Sequence, residues 1–137
     1  MKLVQFDGFP FVEGGITAAK GFSASGVHCG IRANKSKKDL GLLLADHDCA
    51  AAGVYTLNKV KGAPIAVTKD HIAGGYCRGV IVNSGIANTC NADGIEKAEA
   101  MCRIAAKAVN LKETDFAVAS TGVIGQPLPL EPIQGSI

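Results

Sequence analysis

The sequence contains few aromatic residues and no tryptophan. Phe, Tyr and Trp make up 5% of its 137 residues, although 47% of the residues are hydrophobic. The core must therefore be built from Val, Ile, Leu and Ala, side chains that pack closely but bury little area each. A core of this kind is typical of a layered fold or of a domain that packs against a partner.

The sequence also lacks an excess of charge of either sign. Fourteen Lys and Arg residues against twelve Asp and Glu residues give a formal net charge of +2. A balance this close argues against nucleic acid or an anionic membrane as a partner, so we expect neither. The one basic cluster, residues 32–38, lies between two strand-like runs and is typical of a solvated hairpin loop.

Disulfide, zinc and targeting patterns are missing as well. The five cysteines are odd in number and widely spaced, with no CxxC pair and no Cys/His cluster at zinc spacing. The first residues contain no apolar core of signal-peptide length, and no segment is long and apolar enough to cross a membrane. We therefore expect free thiols in a cytoplasmic protein without a metal site.

Several common catalytic motifs do not occur. The chain has no GxxxxGK[ST], no GxGxxG after a strand, no HExxH and no GxSxG. Its histidines, His28, His47 and His71, follow no pattern, so we expect each to be structural. Residues 46–48, Asp-His-Asp, could form a catalytic or metal cluster, but adjacent residues rarely converge on one atom. A polar strand end explains them better.

The hydrophobic pattern predicts both strands and helices. The clearest helix begins after Asp93, its expected N-cap, and ends at Asn110, with apolar residues at helical spacing between them. A short helical turn is predicted over residues 68–73, and residues 130–137 resemble the beginning of another helix. Strands are predicted over residues 26–32, 39–46, 51–58, 63–68, 78–83 and 115–120.

The stretch AVASTGVIGQP, residues 117–127, ends a strand-like run with two hydroxyls and two glycines. A glycine lets the backbone approach a ligand closely, so the Gly122 amide and the Thr121 hydroxyl or amide could bind one negatively charged oxygen atom. An ordinary turn, in which Thr121 bonds a neighbouring carbonyl, accounts for the same residues. The stretch alone leaves both interpretations open.

Four long stretches carry a family resemblance. They are AAKGFSASGVHCGIR (18–32), DLGLLLADHDCAAAGVYTLNKVKGAPIAVT (39–68), VIVNSGIANTCNADGIEKAEAM (80–101) and ASTGVIGQPLP (119–129). In this order they resemble the N-terminal, alpha-chain part of the ornithine acetyltransferase family, the glutamate N-acetyltransferases of arginine biosynthesis. The resemblance implies an α/β domain of layered mixed sheets, similar to the self-processing N-terminal-nucleophile folds, with residues 1–137 as a single domain.

The resemblance also implies an activity. The family's enzymes are made as a precursor that cleaves itself before a threonine, which then begins a beta chain and serves as the nucleophile. This threonine takes acetyl from N-acetylornithine and passes it to glutamate without a cofactor. By resemblance, the oxyanion-stabilising pair falls on Thr121 and Gly122, and the assembly is a heterotetramer of two alpha and two beta chains.

The chain departs from the family in two respects. Ile86 in NSGIAN replaces the usual asparagine, and the cleavage site and threonine nucleophile are missing, which indicates an alpha-chain portion that is truncated and inactive alone. Two alternatives remain open. One is an aminopeptidase- or amidohydrolase-like relative that discharges its acyl-enzyme to water. The other is a non-catalytic module that binds a small ligand through glycine-rich strand ends.

Overall fold

A mixed four-stranded sheet forms the centre of the fold. The computed structural model describes residues 8–9 and 12–137; residues 1–7, which bear on the expected lack of a signal peptide, lie outside this range. The strands are β1 (Phe22–Val27), β2 (Leu40–Ala50), β3 (Tyr76–Ile86) and β4 (Phe116–Val123), in the order β1-β2-β3-β4. The pairs β1–β2 and β2–β3 are antiparallel and β3–β4 is parallel, which confirms the predicted α/β fold.

Helices cover one face of this sheet. They are α1 (Ala63–His71), α2 (Gly94–Val109) and the short α3 (Glu131–Gln134). Helix α2 is the crossover that a parallel pair such as β3 and β4 requires. It buries a stripe of small side chains, including Ala98, Cys102 and Ala105, so it lies close to the strands. No helix among the described residues is long and apolar enough to cross a bilayer.

The core lies between the helices and the sheet. Ile81 of β3 and Val118 of β4 are register partners, and both are buried on the helix-covered face. The fully buried ring of Phe116 packs directly on Gly79, where a Cβ atom would lie 2.7 Å from the ring Cδ1. A glycine is therefore required beside the one large ring of this core.

The opposite face of the sheet is apolar and carries none of the described helices. Leu43 of β2 pairs with Val80 of β3 and with Ala24 of β1, and side chains alternate between faces along each strand. Leu43 and Val80 are half-buried, and Val82, on the same face, is 36% exposed. The sheet thus has one completed face and one face without a helical layer.

The strand predicted over residues 63–68 was wrong, because these residues begin helix α1. Pro64 lies in the first turn of the helix, where its missing N–H has no bond to lose and its fixed φ suits the helix. A short apolar run also does not distinguish a strand from a buried helix. The predicted turn over residues 68–73 is the end of α1, followed by a 3-10 turn at Ile72–Gly74.

Two other predicted strands differ from the structure. Residues 51–58 form no regular element, and Val54 and Leu57 point into solvent. Of the strand predicted over residues 26–32, only the first two residues belong to β1. The amides that follow bond to the carboxylate of Asp39 instead of to a neighbouring strand.

The remaining elements agree with the prediction. The strands predicted over residues 39–46, 78–83 and 115–120 correspond to β2, β3 and β4. Helix α2 ends at Val109 and is capped, as predicted, by Asn110, whose φ of 55° is the left-handed conformation expected after a helix. Asp93 occupies the N-cap position as predicted, but its side chain makes no capping hydrogen bond.

The buried carboxylate of Asp39 organises the loop between β1 and β2. It accepts hydrogen bonds from the backbone amides of Cys29 at 2.6 Å, Gly30 at 3.2 Å and Arg32 at 2.8 Å. Burial opposes ionisation of this carboxyl, but the amide bonds and the Cys29 thiol outweigh it and lower the pKa of Asp39 to about 2. The ionised Asp39 carboxylate therefore fixes the conformation of the loop, and the amides of the loop in turn stabilise its negative charge.

A pair of glycines lies where β3 and β4 run side by side near their ends. Gly85 and Gly122 are register partners with φ values of 114° and 135°, which L side chains rarely adopt. A Cβ atom at Gly122 would overlap the carbonyl group of Gly85 and lie 2.6 Å from the Ile86 nitrogen. No residue except glycine fits at position 122.

We expect Asp39→Asn to remove about 2 kcal/mol of stability at neutral pH and to flatten the acid dependence of unfolding. The folded pKa lies below the unfolded value, so the stabilisation is complete above about pH 4 and is lost as the pH falls towards 2. Urea unfolding between pH 2 and pH 7 measures both effects. Equal pH dependence in the wild type and the variant would contradict this role of Asp39.

We expect Gly122→Ala to destabilise the fold by about 3 kcal/mol or more, because the new methyl group meets backbone atoms that cannot move aside. Gly125→Ala is the matched control: Gly125 also has a positive φ, 76°, but nothing lies within 4 Å of its Cβ position. The control should lose only about 1 kcal/mol. Equal melting temperatures for the two variants would show that the contact between Gly85 and Gly122 is unimportant.

Candidate functional site

Two polar strand ends lie side by side at one end of the sheet. Strand β3 contains Asn-Ser-Gly just before its last residue and strand β4 contains Ser-Thr-Gly just before its last residue, and the parallel register pairs Ser84 with Thr121 and Gly85 with Gly122. Ligands bind in α/β folds beyond the carboxyl ends of adjacent parallel strands. Thr121 and Gly122 are both exposed, so this end of the sheet is open to a ligand.

Strand β4 is the edge of the sheet, and helix α1 covers only part of that edge. The Thr68 hydroxyl accepts a hydrogen bond from the amide of Val118 and donates one to its carbonyl, each at 3.0 Å. One turn further along α1, Nδ1 of His71 donates to the Phe116 carbonyl at 2.8 Å. Because the direction of the backbone groups alternates along a strand, the amide of Gly122 points to this same edge, beyond α1.

A cavity of about 320 Å³ lies beside the pair, between α1 and the end of β4. Its lining includes the hydroxyl-bearing residues Tyr55, Thr68, Thr89 and Ser120. The Oγ atom of Ser120 is buried, and among the described residues it has no hydrogen-bond partner. The cavity is thus lined by hydroxyl-bearing residues, one of which, Ser120, directly precedes Thr121.

The pair supplies hydrogen-bond donors but neither a nucleophile nor a base. A threonine hydroxyl and a glycine amide do not titrate near neutral pH, so they can bind an oxyanion but cannot take up a proton from an attacking group. The perturbed groups lie elsewhere: burial raises the pKa of Cys29, and burial raises that of Cys102 to about 12. The chemistry that this arrangement supports is stabilisation of a negatively charged oxygen.

The other candidates from the sequence lie apart from this pair or bond to the backbone. His28 bonds the carbonyl of Lys37 at 3.0 Å, and His71 bonds a β4 carbonyl as described. Residues 46–48 lie where the pairing of β2 with β3 shifts register, and their side chains are exposed. Within the described ranges no group of three or more His, Cys, Asp or Glu residues could hold a metal ion, and all five cysteines are free thiols.

Position 86, where the family usually has asparagine, belongs to the core. The Ile86 side chain is 9% exposed and packs in the main hydrophobic cluster. Its carbonyl accepts a hydrogen bond from the buried Asn83 side chain at 2.9 Å. The side chain at position 86 therefore contributes to the packing below the strand end.

The sequence analysis missed the residues that surround the pair. The predicted strand stopped at residue 83, whereas β3 continues through Ser84 and Gly85 to Ile86. The signal was present, because both strands end in a hydroxyl residue followed by glycine. The contribution of Arg32, whose Nε donates to Ser84 Oγ at 2.9 Å, had no signal in the local pattern because the two residues are far apart in sequence.

The profile of the ArgJ family matches residues 23–137. The arginine biosynthesis bifunctional protein ArgJ of Symbiobacterium thermophilum is 43% identical over 129 residues, 93% of this chain and 32% of the relative. The protein of that name from Bacillus cereus is 47% identical over 127 residues, 91% of this chain and 31% of the relative. The chain thus spans about a third of the length of these relatives.

Two solved structures share the fold. The crystal structure of ArgJ from Bacillus halodurans is 44% identical, with a TM-score of 0.84, over 89% of this chain and 64% of that chain. Ornithine acetyltransferase from Mycobacterium tuberculosis, complexed with ornithine, is 38% identical, with a TM-score of 0.83, over 88% of this chain and 65% of that chain. Both agree with the resemblance found in the sequence: the chain belongs to the ArgJ family.

Proposed function

We propose that this chain is the alpha-chain part of an acetyltransferase that moves acetyl from N-acetylornithine to glutamate in arginine biosynthesis. Family membership and the names of the relatives support this reaction class. The observation that carries the proposal is the exposed Thr121–Gly122 pair, held at an open sheet edge by the contact between Gly122 and Gly85. In this proposal the pair binds the oxyanion of the reaction.

The proposed reaction has two half-reactions. A threonine at the start of a companion beta chain attacks the acetyl carbonyl of N-acetylornithine, with its own amino group as the base. The carbonyl oxygen becomes negatively charged, and the Gly122 amide and Thr121 donate hydrogen bonds to it. The C–N bond then breaks, ornithine takes the proton and leaves, and acetyl remains as an ester on the threonine. The amino group of glutamate attacks this ester to give N-acetylglutamate and regenerate the threonine.

The companion chain has a place to pack. The apolar sheet face around Leu43, Val80 and Val82 carries none of the described helices, and the relatives are about three times longer than this chain. A second layer on that face would cover the apolar side chains and bring the nucleophile to the sheet end where Thr121 lies. The proposal includes self-cleavage of a longer precursor, a heterotetramer of two alpha and two beta chains, and a cytoplasmic location.

We expect Thr121→Val in the full-length protein to lower kcat for acetyl transfer by about 10²- to 10³-fold, because one donor to the oxyanion is lost. The side chains are nearly the same size and position 121 is exposed, so the melting temperature should change little. Thr114→Val, at another exposed threonine, is the control and should keep full activity. Product analysis with N-acetylornithine and glutamate gives the rate.

Intact-mass spectrometry after incubation with N-acetylornithine alone identifies the intermediate. An acetyl group on a chain that begins with threonine supports the two-step reaction, and N-acetylglutamate as the product supports transfer. Acetate as the sole product would contradict acetyl transfer and show that the acyl-enzyme is hydrolysed instead. Unchanged turnover in Thr121→Val would show that Thr121 does not stabilise the oxyanion, even if acetyl transfer is observed.

A further inference from the structure

Arg32 differs from the other arginines of the chain in its surroundings. The guanidinium of Arg78 lies 3.7 Å from Asp48, and that of Arg103 lies 2.9 Å from Glu113. Arg32 is half-buried, and among the described residues no carboxylate lies within 4.0 Å of its guanidinium nitrogens. Its side-chain hydrogen bond goes to a neutral group, from Nε to Ser84 Oγ at 2.9 Å. Its terminal nitrogens thus remain available to an anion.

Two further contacts position Arg32, one through its backbone amide and one through its side-chain Cγ atom. The backbone amide of Arg32 donates to the buried Asp39 carboxylate at 2.8 Å, which holds the loop in place. The Cγ atom of Arg32 lies over Gly85, 3.1 Å from where a Cβ atom would be. Together with the bond to Ser84, these contacts hold the guanidinium in a preformed position above the end of β3.

The guanidinium is close to the proposed oxyanion pair. Ser84 and Thr121 are register partners on adjacent strands, about 4.8 Å apart, and their side chains lie on the same face of the sheet. Arg32, bonded to Ser84, therefore adds a positive charge to the row that contains Thr121. Three exposed lysines of the same loop, Lys35, Lys37 and Lys38, make the surroundings more positive.

The chemistry of the substrates predicts that a carboxylate lies close to the oxyanion pair. In N-acetylornithine and in N-acetylglutamate the acetyl group is on the α-nitrogen, so the α-carboxylate carbon is only three bonds from the reacting carbonyl carbon. A group that binds this carboxylate must lie next to the oxyanion pair. A planar guanidinium is the side chain best suited to bind a carboxylate through two parallel hydrogen bonds.

We propose that Arg32 binds the α-carboxylate that the acetyl donor and the acetyl acceptor have in common. This role rests on the proposed acetyl transfer, and it makes Arg32 a specificity residue for α-amino acids as opposed to simple amines. Asp39 and Ser84 are positioning residues that hold Arg32 in place. The role gives a function to the first residue of the basic cluster 32–38, whose lysines are exposed.

N-acetylputrescine tests the proposal, because it is N-acetylornithine without the carboxylate. With the full-length protein, Arg32→Gln should lower kcat/KM for N-acetylornithine by about 10- to 100-fold, the effect of losing a charge-assisted hydrogen bond. It should leave kcat/KM for N-acetylputrescine unchanged, so the preference between the two substrates falls. Arg32→Lys, which keeps the charge without the planar fork, should lie between, and Arg103→Gln should behave as the wild type.

Equal losses for both substrates in Arg32→Gln would overturn carboxylate binding, because a structural role does not distinguish the two molecules. Calorimetric titration with N-acetylornithine separates this question from catalysis. A wild type that binds without acetyl transfer would overturn the proposed function, and weaker binding in Arg32→Gln would still support the carboxylate contact. Equal binding of N-acetylornithine by the wild type and Arg32→Gln would overturn the carboxylate contact.

Discussion

The close approach of β3 and β4 at Gly85 and Gly122 is the constraint on which the geometry of the site depends. A side chain at Gly122 would overlap the backbone of Gly85 and Ile86, so the two strand ends can lie together only because residue 122 is glycine. This contact keeps the parallel register through Ser84 and Thr121. It exposes the Thr121 hydroxyl and the Gly122 amide, both of β4, at the same open end of the sheet.

The loop between β1 and β2 is tied to this strand pair through a single buried charge. Asp39 immediately precedes β2, and its carboxylate replaces the sheet partners that the amides of residues 29–32 would otherwise need. The loop then turns back over the end of β3, where Arg32 reaches Ser84. A change in ionisation of Asp39 would therefore act on the site without any contact between Asp39 and a substrate.

Local sequence patterns predicted those helices and strands whose conformation depends mainly on neighbouring residues. Helix α2, predicted from its apolar periodicity, and strands β2, β3 and β4, predicted from apolar runs, were confirmed, whereas residues 63–68 were mistaken for a strand because a short apolar run fits either element. The family resemblance pointed to Thr121 and Gly122, whose role remains a prediction. The position of Arg32 could not be predicted, since it depends on the pairing of strands far apart in sequence and on a side chain that bonds backbone amides.

The distribution of polar and apolar groups explains why such a site requires a second chain segment. A bound oxyanion gains most from its donors when water is excluded, yet Thr121 and Gly122 are exposed in this chain. The apolar sheet face that includes Val82 ends at this same row of residues. A layer that packs on that face would bury apolar side chains and exclude water from Thr121 in a single step. The same packing would thus stabilise the fold and strengthen the hydrogen bonds of the proposed oxyanion site.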